Sequence, residues 1–174
     1  AAADIIVKSY YETYGLPAMN TRCSNNYGPH QYPEKLIPLT IDYALRGKEI
    51  PVYGDGKQVR DWLHVDDHCS AIDTVLHHGK IGEVYNIGGN NESENIEIIK
   101  LILSHLNKGH DLIQYVEDRL GHDKRYAIDN TKILTELGWK PYYTFTKGLE
   151  TTINWYLANP DWLDLVVSKE KKYA

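Results

Sequence analysis

The 174 residues include a single Phe, only two Cys and no apolar run near the roughly 20 residues that a membrane span needs. Each shortage removes a class of protein. Cys23 and Cys69 stand in separate segments without a CxxC spacing, so neither a zinc site nor a disulfide framework has support, and both read as buried thiols. The 19 Lys+Arg set against 24 Asp+Glu leave a net charge of −5, with no basic excess to grip a nucleic-acid backbone. The opening alanines lack the basic and apolar regions of a signal peptide, and a cytoplasmic protein is expected. There is no GxGxxG or GxxGxxG, no GxxxxGK[ST], no HExxH and no GxSxG, which leaves out a complete dinucleotide site, a P-loop, a zincin metal site and a hydrolase elbow. No nucleophile stands beside an evident base partner, and no metal ligand set is expected.

What is present is globular in character. Apolar residues make up 42% and charged residues 25%, near the averages for folded domains, and the length is enough for one domain with a core. Fourteen Tyr and four Trp mean that most aromatic rings carry a polar tip. Most such rings belong at a core boundary with a wet hydroxyl. Tyr53 is singled out because it precedes Gly54-Asp55-Gly56, a turn whose glycines allow positive φ.

The pattern of elements is mixed α/β. Ile5, Ile6, Tyr10 and Tyr14 give residues 1–14 a helical spacing that stops at Gly15, and nothing before Ala1 could cap this helix, so the start reads as a cut. Residues 18–23 predict a strand, followed by a polar loop over 24–29. Residues 36–46 predict a helix with Pro38 in its first turn and Gly47 as its stop. Ile50–Tyr53 precede a turn, 58–65 read as extended, and Asp66-Asp67 head a helix over 69–76. Residues 84–87 predict a buried strand, Asn95 a cap for a helix over 96–106, and 113–116 a further strand. Two closing helices are expected, one starting at Asn130 or Thr131 and running through Leu137, the other over 146–158 before Pro160. These strands are too few and scattered for a complete doubly wound sheet, so they are expected to complete one begun elsewhere.

Three segments could carry chemistry. Asn25 and Asn26 stand just past a strand's C-terminal end, where open α/β sheets bind ligands; their amides suit phosphate or ribose oxygens, or equally an Asn-rich turn capping its own backbone. Arg60 offers a planar fork for phosphate, with an ion pair to Asp61, Asp66 or Asp67 as the plainer reading. His64 reads as a helix-entry histidine bonded to backbone rather than a base. Residues 118–123 read as a solvated loop when taken alone, but Arg119 beside Arg60 makes a pair of guanidinium groups that a diphosphate would need in an acidic protein.

These segments together resemble the C-terminal part of the extended short-chain dehydrogenase/reductase family, in its nucleotide-sugar dehydratase branch. The resemblance rests on Asn25-Asn26-Tyr27-Gly28-Pro29, the run from Pro33 to Pro38, Pro51-Val52-Tyr53-Gly54-Asp55-Gly56, Arg60-Asp61-Trp62, His64-Val65-Asp66-Asp67, Tyr85-Asn86-Ile87-Gly88-Gly89, Asp118-Arg119 with Gly121-His122-Asp123, and Leu137-Gly138-Trp139-Lys140-Pro141, in that order. It implies the last strands of a Rossmann-like core with a small substrate-binding domain, residues 1–28 ending the core and 29–174 mainly binding substrate. It implies dTDP-glucose or a related nucleotide sugar as substrate. Asn25 would lie near the sugar-diphosphate, Lys35 and Leu36 against the nucleotide, and Pro51 and Tyr53 beside the base. Arg60 and Arg119 would hold the diphosphate, with Asn95 and His122 completing the pocket. NAD is the implied cofactor, met by Asn26, and a homodimer through the first helix is the implied assembly. The family's Tyr-x-x-x-Lys lies just before a segment like Ala1-Ala2-Ala3-Asp4, so no catalytic residue is expected in this chain and no turnover by it alone. Leu120 departs from the family's usual Pro and loosens the loop. A UDP-sugar decarboxylase or epimerase would share Arg60-Asp61 and the His64 run, while residues 34–38 and 118–123 favour the dehydratase. A non-enzymatic nucleotide-sugar-binding module is the rival from another class.

Overall fold

Eight short strands pair in three separate groups, and what joins them is the packing of helices rather than one continuous sheet. The computed structural model describes residues 2–170, with the element order α1 (Ala2–Tyr14), β1 (Asn20–Cys23), β2 (Asn25–Tyr27), α2 (Leu36–Leu45), β3 (Ile50–Tyr53), β4 (Val59–His64), α3 (Val65–His78), β5 (Val84–Ile87), β6 (Glu92–Glu94) and α4 (Asn95–His105). A 3-10 turn (His110–Leu112) then leads into β7 (Ile113–Val116), β8 (Arg125–Tyr126), α5 (Thr131–Leu137), α6 (Phe145–Ala158) and α7 (Pro160–Glu170). β1 runs parallel to β5, with Asn20 opposite Val84 and Cys23 opposite Ile87. β3 runs parallel to β7 from Ile50 opposite Ile113 to Tyr53 opposite Val116. β4 pairs with β2, β6 and β8.

The helical periodicity decides where the core sits. Ile37, Ile41 and Ala44 of α2 lie on one face, as do Ile98 and Ile102 of α4 and Leu149, Ile153 and Tyr156 of α6. Ile37 and Ile41, the α4 and α6 residues just named, Tyr27 and Trp62 build one cluster; Ala44, Ile50, Val52, Ile96, Ile99 and Leu103 build a second between α2, α4 and β3. A third lies around Leu63, Ala71, Val75, Tyr85, Ile87, Ile133 and Trp139, covering β5 with α3 and α5. No described helix is long and apolar enough to cross a membrane.

Several local expectations are corrected. Residues 25–27 form β2 instead of part of a polar loop, because Asn25, Asn26 and Tyr27 pair in parallel with Trp62, Leu63 and His64; a ready partner strand overrides turn-forming composition. Asn95 does not cap α4 but is its first residue. The first helical N–H groups find other acceptors, Asn95 N donating to Gln58 O at 3.1 Å and Ile96 N to Gly56 O at 3.0 Å, so no side-chain cap is needed. α6 ends at Ala158 before Pro160 as expected, but a third closing helix follows that was not expected: Pro160 opens α7, where its missing N–H costs no helical bond. β6 and β8, three and two residues long, carry no legible period. Cys69 is exposed and Cys23 half-buried, not the buried thiols expected, since Cys69 lies off the face of α3 that turns Ala71 and Val75 inward. Ala1 of the expected first helix lies outside the described residues.

Two buried carboxylates fasten loops to this frame. Asp61 accepts from Gly89 N at 2.9 Å and Asn91 N at 2.7 Å, and Asp67 from Tyr142 N at 2.8 Å and Tyr143 N at 3.0 Å. Bonds to a charged acceptor contribute roughly 1.5–3 kcal/mol each. The Gly88-Gly89 turn lies so close to β4 that a Cβ at Gly89 would sit 2.0 Å from Trp62 O, which no other residue type could tolerate without backbone movement.

His64 caps α3 with Nδ1 accepting from Asp66 N at 3.3 Å, as its reading as a helix-entry residue requires. Its ring stacks on Tyr143 at 4.0 Å and meets the Tyr27 ring edge-on at 5.4 Å, and its buried Nε2 has no partner. Burial holds the imidazole below its usual pKa, against the smaller upward pull of Asp66 and Asp67. Above about pH 6.5 the ring is neutral both folded and unfolded; below it the unfolded chain takes up the proton first, so stability is lost as pH falls. Burial shifts His68 the same way. Urea unfolding between pH 8 and pH 5 should therefore show a declining midpoint. His64→Phe should lower stability at pH 8 by about 1 kcal/mol through the lost cap, yet make the acid decline shallower; a decline as steep as in the unaltered chain would refute the assignment to His64.

Candidate functional site

A strand exposes alternate residues on one face, and the stretch through β4 uses this to aim Gln58, Arg60 and Trp62 into one cavity of about 390 Å³. Asn25, opposite Trp62 in the parallel register, adds a carboxamide from β2. Lys35 and Leu36 enter where α2 begins, and Pro51 and Tyr53 come from β3. Asn95 enters at the start of α4, with its carboxamide freed from capping by the carbonyls of Gly56 and Gln58. Arg119 and His122 reach in from the loop between β7 and β8. All nine residues nominated for substrate from the sequence thus line one cavity although they come from six separate segments.

The charge in this cavity is unbalanced. Arg60 donates from Nη1 to Val59 O at 2.7 Å and from Nη2 to Asp123 O at 2.8 Å, and no carboxylate among the described residues pairs with it. The expected ion pair with Asp61, Asp66 or Asp67 is not formed, because Asp61 and Asp67 already hold backbone N–H groups and Asp66 lies beside His64. The two carbonyls aim the guanidinium without cancelling its charge. Arg119 likewise has no carboxylate partner; its guanidinium lies over the Tyr53 ring, 5.4 Å from the centroid. Lys35, by contrast, is paired with Glu34 at 2.6 Å and is exposed.

The loop carrying Arg119 is folded around one acid. The Asp118 carboxylate accepts from His122 Nδ1 at 2.7 Å, from Arg119 N at 2.8 Å and from Gln58 Nε2 at 3.1 Å. These donors, His122 above all, hold its pKa below the usual carboxylate range. Both ends of the loop are tied to strands, through Gly54 N to Val116 O at 2.9 Å and Val59 N to Lys124 O at 2.8 Å. The His122 ring meets Tyr53 edge-on at 6.5 Å. Tyr53 is 44% exposed, so part of its ring is open to a planar group. Within the wall, Asn95 Oδ1 and Trp62 Nε1 are buried without partners. An arrangement of two unneutralised guanidinium groups, two carboxamides and a half-open ring can hold a doubly charged anion attached to a flat heterocycle.

Asn26 lies apart from the other nine. Its Nδ2 donates to Ser24 O at 2.9 Å and its Oδ1 accepts from His68 Nδ1 at 2.8 Å, outside the cavity. Nearby, Ser24 Oγ is buried without a partner. Sequence reasoning missed Gln58, Trp62 and Leu39 as cavity residues. The i, i+2 spacing from Arg60 was the available signal for Gln58 and Trp62; Leu39 reads only as helix core.

The chain is similar to known proteins over nearly its whole length. The chain is 53% identical over 176 residues to dTDP-glucose 4,6-dehydratase of Xanthomonas campestris pv. campestris (strain B100), a match that covers 96% of this chain and 50% of that protein. A crystal structure of dTDP-glucose 4,6-dehydratase from Bacillus anthracis str. Ames in complex with NAD is similar with a TM-score of 0.92 and 58% identity, covering 95% of this chain and 53% of the other. The enzyme of that name from Streptomyces venezuelae, solved with NAD and TYD bound, has a TM-score of 0.92 at 46% identity, covering 94% and 51%. The chain thus spans about half the length of the curated relatives it matches. Residues 1–152 match the profile of one family throughout, the stretch that contains every cavity residue described above, and the chain belongs to the GDP-mannose 4,6 dehydratase family.

Proposed function

We propose that this chain supplies the nucleotide-sugar-binding part of an NAD-dependent 4,6-dehydratase acting on dTDP-glucose. The observation that carries this reading is the pair Arg60 and Arg119, both without carboxylate partners among the described residues and both lining the cavity that holds the half-open Tyr53 ring. In this reading the two guanidinium groups hold the diphosphate, and Pro51 and Tyr53 flank the thymine. Lys35 and Leu36 meet the nucleotide from the start of α2. Asn95 and His122 complete the nucleotide pocket, and Asn25 turns toward the sugar. Residues 1–28 end the cofactor-binding core, and 29–174 mainly bind substrate. The likeness to relatives named for this activity, and to two structures solved with NAD bound, supports the same reading.

The chain's own part in this chemistry is to bind and orient. NAD, when bound, would take a hydride from the sugar and return it, so the loss of water consumes no cofactor. The buried, unpartnered Ser24 Oγ and the Asn26 carboxamide beside it fit a cofactor's polar edge. α1 exposes Ile5, Ile6, Tyr10 and Tyr14 at 68, 59, 53 and 74% and so offers an apolar face for a second copy.

Calorimetric titration with dTDP tests the site. Arg60→Ala should weaken binding about tenfold or more, since a charge-assisted bond contributes roughly 1.5–3 kcal/mol and each 1.4 kcal/mol is tenfold. Arg60→Lys should recover only part of this, because an ammonium cannot reproduce the planar fork. Unchanged affinity in a folded Arg60→Ala protein would make Arg60 merely a structural link between Val59 and Asp123. Tyr53→Ala should instead reduce the preference for thymine over other bases. For the assembly, sedimentation should detect a dimer that Ile6→Asp dissociates, and a monomer unaffected by that change would remove α1 from the interface.

A further inference from the structure

We propose that Gln58 is the positioning residue that sets the base end of the cavity, an inference that rests on the nucleotide reading above. Gln58 is buried at the turn between β3 and β4, and its Nε2 donates both to Tyr53 O and to Asp118 Oδ2, each at 3.1 Å. One amide nitrogen thereby ties the end of β3, which presents Tyr53, to the loop that presents Arg119 and His122. The Gly54 turn permits this close approach: its φ is +59°, and a Cβ there would sit 2.8 Å from the same Asp118 oxygen. Asp118 in turn orders the loop by accepting from His122 Nδ1 and Arg119 N. Without Gln58 the carboxylate loses its bond to the turn that leads into the strand carrying Arg60, and Tyr53 O loses its side-chain donor. The ring and the two loop side chains would then no longer share one fixed geometry, and affinity depends on that pre-organisation.

The chemistry of the pair makes the inference testable with an isosteric change. Gln58→Glu keeps the shape but turns a donor into a second carboxylate facing Asp118, and two carboxylates at such a distance cannot both stay ionised cheaply. A proton shared between them on acidification restores an O–H donor across the gap. The other charged groups around this position are His122, Arg119, Arg60, Lys35 and Glu34 on the cavity side, with Asp55, Lys57 and Lys124 on the outer side.

The experiment is calorimetric titration of dTDP into the unaltered protein, Gln58→Glu and Gln58→Met from pH 5.5 to pH 8, with near-ultraviolet circular dichroism to monitor the fold. At each pH the variant's Kd is divided by that of the unaltered protein, which isolates the pH dependence that the substitution itself introduces. Gln58→Glu should bind about tenfold more weakly at pH 8 and return to within about threefold at pH 5.5. Gln58→Met, neutral and unable to donate, should bind about tenfold more weakly at every pH. A ratio near one for either folded variant, or a Gln58→Glu loss that acid does not reverse, overturns the role of Gln58 while leaving the nucleotide site standing. Should Gln58→Glu fail to fold, Gln58→Met alone decides by its affinity. Failure of the unaltered protein to bind dTDP at any pH would instead refute the nucleotide reading, and the role of Gln58 with it.

Discussion

The pairing of β4 is the constraint on which the rest of the molecule depends. Its residues face β2, β6 and β8, and its alternating side chains supply two different cores, Trp62 the one beneath α2, α4 and α6, Leu63 the one beneath α3 and α5. The same alternation leaves Arg60 facing the cavity and Asp61 buried against the Gly88-Gly89 turn. A shift of one residue in register would exchange these faces, bury the guanidinium and expose the acid. The tight approach of Gly89 to Trp62 O and the three-residue register with β2 hold that alignment in place.

The electrostatics of the cavity follow from where the acids are spent. The protein carries more acids than bases, yet the acids next to Arg60 in sequence serve other partners. Asp61 and Asp67 hold backbone N–H groups of loops that would otherwise lack acceptors, and Asp42 is paired with Arg46 at 2.6 Å. Burying an acid against backbone donors fixes a loop and also removes that acid as a counterion. Arg60 is then oriented by two carbonyls, with no described carboxylate to neutralise it.

The loop of residues 117–123 is ordered by a smaller version of the same device. Asp118 gathers donors from His122, Arg119 and Gln58, so an exposed, Gly-containing stretch acquires a defined shape without a core of its own. Leu120 at its tip is fully exposed, so the bonds to Asp118 and not apolar packing hold this segment. Such a loop can position Arg119 over Tyr53 and still remain accessible to a ligand.

The helix over 36–46 and the strands over 84–87 and 113–116 were legible in the sequence because their apolar periods are set locally: all three fall within a residue of their observed limits or on them. The set of cavity residues was legible only through resemblance, since nothing in the spacing of Asn25, Arg60, Asn95 and Arg119 says that they meet. Tertiary structure decided that meeting, and it decided the exceptions too. β2 formed where turn residues predominate because β4 offered a partner, and Asn95 kept its carboxamide free because the carbonyls of Gly56 and Gln58 took over the helix start. Local sequence determines which face of an element is apolar; which backbone groups already have partners, and so which polar side chains are left to face a ligand, depends on contacts between residues far apart in the chain.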